Sequence, residues 1–194
     1  MSARMIVIAG PPGSGKSTAF PVARIGVAYF NADDRAAEMN GGSYHGISKG
    51  IRQIVNREFA AFILSCIDRR ESFAIETTLR SSVTFEQARL ARQAGFTVEM
   101  RYLALDSFPM HLERIKIRSD AGGHSASETT LRRIYESSLK NLSQAIHEAD
   151  ELHVYDNSQL GSAPRFVMEA RDGKIVFLAE DPPGWLTEAF GWQA

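Results

Sequence analysis

The sequence has 194 residues, of which 44% are hydrophobic and 23% charged, and its formal net charge is −1. This length and composition predict one globular domain over residues 1–194, and the near-neutral charge argues against a nucleic-acid-binding surface. No apolar run approaches the length of a membrane span and the one cysteine, Cys66, cannot form an internal disulfide, so we expect a cytoplasmic protein with no signal peptide and no membrane partner.

The first element of the chain is a short apolar run, Met5–Ala9, which leads directly into a glycine-rich segment. Residues 10–17 read Gly-Pro-Pro-Gly-Ser-Gly-Lys-Ser and fit the Walker A pattern G-x-x-x-x-G-K-[ST] at every fixed position. A helix is predicted after the loop, to about residue 23, so the motif has the strand–loop–helix context that it requires. The sequence therefore predicts a nucleotide site.

The chemistry of this loop follows from its residue types. Glycines let main-chain N–H groups turn toward an anion, and the helix adds its positive N-terminal end. Lys16 is expected to reach the β- and γ-phosphates, and the hydroxyl of Ser17 to bind the Mg²⁺ that accompanies the nucleotide. The residues expected to bind the nucleotide are Gly10, Pro11, Pro12, Gly13, Ser14, Gly15, Lys16, Ser17 and Thr18.

Two of the strands that follow lead into or end in acidic residues. Val27–Phe30 reads as a strand that leads into Asp33 and Asp34, and Ser72–Glu76 reads as a strand whose last residue is acidic. Because open α/β sheets bind ligands at the carboxyl ends of their strands, we expect these carboxylates at the ligand-binding edge. Asp33 or Asp34 also suits capping of the next helix, whereas Glu76 at the end of an apolar strand requires a partner.

The rest of the chain alternates helical and strand-like patterns. This alternation predicts an α/β fold of three layers, with a mostly parallel central sheet between helices, as in P-loop NTPases. A terminal β-hairpin and a short helix are expected at about 163–192. Helices are predicted from Ile47, after a cap at Ser81 or Ser82, from Ser107, from Glu128 and near Trp185. The predicted strands are 97–105, 151–155, 165–170 and 174–179.

A phosphate loop also serves GTPases, motors and transporters, so other residues must narrow the function. A small-molecule kinase needs a carboxylate to take the proton of the attacking hydroxyl and cations near the transferred phosphoryl group. The strand-end carboxylates meet the first need. A polar, glycine-bearing segment at about 119–131 is expected to act as a closing lid. The second need is met by basic residues on both sides of this segment: Arg114, Lys116, Arg118, Arg132 and Arg133.

Taken in order, these motifs resemble the zeta toxin family, whose characterised members are P-loop kinases of UDP-N-acetylglucosamine. The resemblance spans about residues 5–158, although the chain is shorter than the well-studied plasmid toxins. Its parts are Gly10–Thr18; Asn31-Ala32-Asp33; Glu76-Thr77-Thr78-Leu79; Arg118 through Arg132-Arg133 to Leu139; and the similar closing strand Tyr155-Asp156-Asn157-Ser158.

The resemblance implies a role for each matched residue. Asp33 would be the general base that takes a proton from the sugar 3′-hydroxyl, and Glu76, Thr77 and Thr78 would form part of the acceptor site. Lys16 and two arginines would stabilise the γ-phosphoryl group. The best matches for the arginines are Arg118 and Arg132, and Arg133 replaces Arg132 if the match to the family is shifted by one residue. ATP and Mg²⁺, a nucleotide-sugar acceptor and a separate antitoxin protein are the implied cofactors and partners.

Two alternatives stay open at this point. The same fold serves kinases of other small acceptors, such as a nucleoside, a sugar acid or an antibiotic. A protein of a different class, a nucleotide-dependent switch with little turnover, also needs a phosphate loop. The strand-end carboxylates favour the enzyme, because a switch senses phosphate but needs no base for an organic hydroxyl.

Overall fold

The computed structural model describes residues 2–120 and 126–192, with the main chain alone at 118–120. Within this part of the chain, strands and helices alternate up to a terminal hairpin. The strands are β1 (Arg4–Ala9), β2 (Ala28–Asn31), β3 (Phe73–Thr77), β4 (Thr97–Ala104), β5 (Glu151–Asp156), β6 (Arg165–Arg171) and β7 (Lys174–Leu178). The helices are α1 (Lys16–Ala19), α2 (Val22–Ile25), α3 (Ala32–Met39), α4 (Lys49–Arg69), α5 (Val83–Gln93), α6 (Phe108–Asp120), α7 (Glu128–Glu148) and α8 (Gly184–Phe190).

All described strands belong to one seven-stranded sheet of order β2-β3-β1-β4-β5-β6-β7. The first five strands of this order are parallel, and β6 and β7 add the antiparallel hairpin. Strand β1 lies in the middle, and its apolar residues Met5–Ala9 are at most 6% exposed. A strand covered on both faces reads as a continuous apolar run, which is the pattern that the sequence showed. The predictions of a mostly parallel sheet and a terminal hairpin are confirmed.

The two faces of the sheet are covered unequally. Buried residues of α4, α5, α7 and α8 pack on the face that carries Met5, Val7 and Ala9, and form the main core. On the opposite face, Ile6 and Ile8 belong to a small cluster with Phe20 and Ile25, which lie at the ends of α1 and α2. Helices therefore lie against both faces, and the prediction of three layers is confirmed.

The helix after the glycine-rich loop is shorter than the sequence pattern predicts. We expected one helix to about residue 23, but α1 ends at Ala19 and α2 begins at Val22. Phe20 is not helical, with φ −125° and ψ 71°, and Pro21, which is extended, is the N-cap of α2. Proline has no N–H to donate and disfavours helical geometry in the residue before it, so the single-helix prediction was wrong at this point.

The segment predicted to be a lid, at about 119–131, is described only in part. Residues 121–125 lie outside the described residues, and α7 begins at Glu128 after its cap Ser127, whose hydroxyl accepts the N–H of Thr130.

None of the described helices has the length and apolarity that crossing a membrane requires.

Candidate active site

The glycine-rich loop joins the central strand β1 to α1 and is packed closely from behind. Gly13 and Gly15 have φ values of +78° and +92°, which side chains rarely adopt. A Cβ at Gly13 would lie 2.6 Å from the carbonyl oxygen of His111, and one at Gly15 would lie 2.6 Å from Nδ2 of Asn157. Both positions therefore require glycine.

Lys16 opens α1 and turns back over the loop. Its side chain is largely buried, and Nζ donates to the carbonyl oxygens of Gly10 at 3.0 Å and Pro11 at 3.3 Å. The same nitrogen lies 3.7 Å from Oε1 of Glu76. The ammonium group is thus held at the mouth of the loop, between main-chain oxygens and a carboxylate.

Glu76 reaches Lys16 because β3 pairs with β1, with Ile8 opposite Glu76 in the register. The Glu76 side chain is 15% exposed, and its Oε2 accepts a hydrogen bond from the hydroxyl of Tyr29 at 3.0 Å. Burial, and then the charge of Glu76, raise the pKa of Tyr29 well above its ordinary value, so this hydroxyl remains a donor. The need of Glu76 for partners, inferred from the sequence, is met by Lys16 and Tyr29.

The first turn of α3 carries the other acidic pair. The cap of this helix is Asn31, whose Oδ1 accepts the N–H groups of Asp33 at 2.9 Å and Asp34 at 3.3 Å. The hypothesis that Asp33 or Asp34 caps this helix was therefore wrong. The Asp33 side chain is 58% exposed, and its Oδ1 lies 3.6 Å from Nη1 of Arg52.

A cavity of about 490 Å³ opens beside the loop. Its volume lies in the range of small-molecule sites. In the described part of the chain, Glu76 lines this cavity and Asp33 does not. The lining residues are Gly13, Gly15, Lys16, Ser17, Thr18, Glu76, Arg114, Asn157, Gln159, Leu160, Gly161 and Ser162.

Of the basic residues that flank the lid segment, Arg114 lines the cavity, where its Nη2 donates to the carbonyl oxygen of Asn157 at 2.7 Å. Arg132 stacks over the ring of Phe108 at 4.3 Å and lies 3.6 Å from Glu128. Arg133 is exposed on α7. The side chain of Arg118 lies outside the described residues.

Thr77 is the last residue of β3, and Thr78 begins the turn that follows it. The hydroxyl of Thr77 accepts the N–H of Leu79 at 3.1 Å and lies 3.3 Å from the hydroxyl of Thr84. Thr78 is half-buried. This turn is therefore ordered by its own side chains, close to the carboxylate of Glu76.

Two residues that sequence reasoning did not place in the site contact the loop directly. His111 of α6 is 1% exposed; its Nδ1 lies 2.8 Å from the carbonyl oxygen of Pro12, and its Nε2 accepts the N–H of Leu105 at 3.0 Å. Asn157, just after β5, donates from Nδ2 to the carbonyl oxygen of Ser14 at 2.8 Å.

The sequence contained a signal for only one of these two residues. The position of Asn157 after the strand β5, at the ligand-binding edge, was a usable signal. We found no comparable signal for His111, since it lies inside a helical pattern far from the loop in sequence.

No protein-family model matches the chain. An uncharacterized protein from Haemophilus influenzae is 28% identical over 138 residues, which cover 70% of this chain and 94% of that protein.

Among the solved structures that are similar to this chain, three cover most of it and illustrate the range. A structure of the PezAT chromosomal toxin-antitoxin system of Streptococcus pneumoniae has a TM-score of 0.65 at 14% identity, covering 100% of this chain and 80% of that chain. The AvrRxo1-ORF1:ORF2 structure with ATP has a TM-score of 0.67 at 11% identity, covering 90% and 60%. Shikimate kinase from Acinetobacter baumannii, in complex with shikimate, has a TM-score of 0.51 at 15% identity, covering 84% and 87%.

At these identities the likeness concerns the fold. The chain has the α/β fold of P-loop kinases, and its resemblance to zeta toxin-like proteins, inferred from the motifs, is confirmed at the level of the fold.

Proposed function

We propose that the protein is an ATP-dependent kinase that transfers the γ-phosphate to a hydroxyl group of a small acceptor, such as the nucleotide sugar UDP-N-acetylglucosamine. One observation carries the proposal: Lys16 of the phosphate loop and the carboxylate of Glu76 face each other across 3.7 Å in one cavity. A phosphate-binding cation beside a strand-end carboxylate is the arrangement that phosphoryl transfer to an organic hydroxyl needs.

The residues of the loop suit a polyphosphate. The main-chain N–H groups of Gly13 and Gly15 are not donated to any described acceptor, and Lys16 is held beside them. In the proposal these groups, the rest of residues 10–18 and the N-terminal end of α1 hold the phosphates. Ser17 lines the same cavity and would hold Mg²⁺, which neutralises phosphate charge when it is bound.

The acceptor would lie on the side of the cavity where β2 and β3 end. Asp33 takes the proton of the attacking hydroxyl in this proposal, and Glu76, Thr77 and Thr78 orient the acceptor. Asp33 is exposed at the start of α3, two residues after Asn31, which pairs with Glu76 in the sheet. Glu76 is the second candidate for the base, because its carboxylate lies 3.7 Å from the ammonium group of Lys16.

Cations would balance the charge of the transferred group. In the proposal Lys16 acts with Arg118 and with Arg132 or Arg133, on closure of the lid over the bound nucleotide. Arg114 already lines the cavity and is a further candidate. Exclusion of water by the closed lid would matter, because water competes with the acceptor hydroxyl.

Other acceptors and a protein partner belong to the same proposal. A similar structure is a shikimate kinase with shikimate bound, which supports testing small hydroxy acids, including sugar acids, beside nucleotide sugars. A structure of a toxin-antitoxin system is among the similar ones, so a separate antitoxin is a partner to test. A cytoplasmic location and a single domain stay predictions.

The test is transfer of labelled γ-phosphate from ATP to a panel of nucleotide sugars, nucleosides, sugar acids and aminoglycosides. We expect one class to be phosphorylated by the wild type and not by Lys16→Ala. Weak transfer to every acceptor, combined with nucleotide-dependent binding of a protein, would instead support a switch. Absence of ATP binding would overturn both.

A further inference from the structure

We infer that His111 and Asn157 are positioning residues that fix two peptide planes of the phosphate loop, so that the N–H groups of Gly13 and Gly15 face the bound phosphates. Each side chain donates a hydrogen bond to one loop carbonyl oxygen, that of Pro12 or that of Ser14. The inference rests on the proposed function, since it names residues that prepare the same site.

Peptide planarity links these carbonyls to the N–H groups. In a trans peptide the C=O group and the N–H group of the next residue point in opposite directions, and the chain has no cis peptide bonds in its described part. A donor that binds the carbonyl oxygen of Pro12 therefore makes the N–H of Gly13 point away from that donor. In the same way, a donor that binds the carbonyl oxygen of Ser14 makes the N–H of Gly15 point away from it.

The two peptides held in this way are the ones that need it. The peptides after Gly10 and Pro11 lead into prolines and have no N–H group, and the N–H of Ser14 is donated to Pro11 at 3.3 Å. The peptides that end in Gly13 and Gly15 carry N–H groups with no acceptor among the described residues, at positions with no side chain. Without an external contact, these glycine peptides flip most easily.

The hydrogen bonds of His111 define its tautomer. Nε2 accepts the N–H of Leu105 at 3.0 Å, so the proton of the neutral ring lies on Nδ1, which donates to Pro12 at 2.8 Å. Burial lowers the pKa of His111 to about 4, so the ring is neutral near pH 7. His111 does not line the cavity, and any effect it has on phosphate binding must pass through the loop.

Asn157 is itself fixed on both sides. Its main-chain N–H donates to Ala104 at 2.9 Å, and its carbonyl oxygen accepts from Arg114 at 2.7 Å. Asn157→Ala leaves these main-chain bonds in place and removes only the side-chain bond to Ser14. Because Asn157 also lines the cavity, the loss of affinity in this variant is an upper limit for the contribution of the contact to Ser14.

Two pairs of variants test the inference. His111→Asn keeps an amide donor near the Nδ1 position, whereas His111→Gln places its amide near Nε2 and loses the donor to Pro12. Asn157→Ala is compared with Asn141→Ala. The control variant loses a hydrogen bond of the same 2.8 Å length, from the side-chain amide of Asn141 to the carbonyl oxygen of Leu79. Calorimetry with inorganic triphosphate and with ATP measures the dissociation constants, and steady-state kinetics separates KM for ATP from kcat.

We expect His111→Gln and Asn157→Ala to raise both dissociation constants about three- to tenfold, the usual effect of one lost hydrogen bond. In these two variants KM for ATP should rise with little change in kcat. The dissociation constants of the controls His111→Asn and Asn141→Ala should stay within about twofold of the wild-type values. If the wild type binds the probes but the two variants of each pair bind them with equal affinity, the inference is overturned. The kinase proposal is not affected by that result. A wild type that binds neither probe would overturn both. If His111→Gln fails to fold, the Asn157 pair decides.

Discussion

Replacement of Glu76 by glutamine should strengthen ATP binding while it impairs phosphoryl transfer. In the free protein the Glu76 carboxylate lies 3.7 Å from Lys16, and both side chains are at most 15% exposed. At an effective dielectric constant of about 20, two unit charges at this distance attract by about 4 kcal/mol. A bound triphosphate would take over Lys16 and place its own negative charge near the carboxylate.

The size of the effect follows from that repulsion. A phosphate charge about 6 Å from Glu76 is repelled by roughly 3 kcal/mol under the same conditions, and screening reduces this value. Glutamine keeps an oxygen that accepts the Tyr29 hydroxyl but removes the charge. We therefore expect the dissociation constant for ATP to fall about tenfold, which corresponds to about 1.4 kcal/mol.

Isothermal titration calorimetry with ATP at two salt concentrations is the assay. The gain in affinity should shrink as the salt concentration rises. Glu58→Gln is the matched control, because Glu58 pairs with Arg35 on the surface and does not line the cavity. An unchanged or weaker affinity of Glu76→Gln would refute the view that Lys16 and Glu76 meet at the phosphate site.

Three further predictions follow from single contacts. Lys16→Ala should weaken ATP binding about tenfold or more by calorimetry and reduce transfer with it, and a fully active variant would contradict the phosphate cradle. Tyr29→Phe removes the hydrogen bond that orients Glu76 at 3.0 Å, so turnover should fall about three- to tenfold with unchanged ATP affinity; unchanged turnover would remove Tyr29 from the site. The carboxylate of Glu99, which lies 3.7 Å from Nδ1 of His153, raises the pKa of His153 above 6.5 and is opposed by partial burial, so the stabilisation from this pair is complete below about pH 6.5 and is lost as the pH rises through the folded-state pKa. The melting temperatures of wild type and His153→Asn should therefore differ most near pH 6 and converge near pH 9, and a constant difference would refute this assignment.

The sequence was most informative where local pattern and tertiary environment agree. The apolar run Met5–Ala9 predicted the central strand because that strand is covered on both faces, and the spacing of glycines and Lys16 predicted the loop. The carboxylate of Glu76 was identified by the cost of burying it alone, and its partners are Lys16 and Tyr29. These inferences needed only residue type and position along an element.

Features that depend on contacts between distant elements were harder to predict. His111 reaches Pro12 across 99 positions of the chain and Asn157 reaches Ser14 across 143, and no local pattern encodes such pairs. The cap of α3 was assigned two or three residues too late, since Asn31 and not an aspartate accepts the first N–H groups. The helix after the loop was extended through Pro21, although proline disfavours that continuation.

The most direct test of the proposed chemistry is the rate of γ-phosphate transfer from ATP to the acceptor by Asp33→Asn. The account predicts that ATP binds this variant within about twofold of wild type, while transfer falls by about 10²–10⁴-fold, as expected for loss of a general base. Turnover equal to that of the wild type would contradict the assignment of Asp33. A loss of turnover in Glu76→Gln alone would assign the base to the carboxylate beside Lys16.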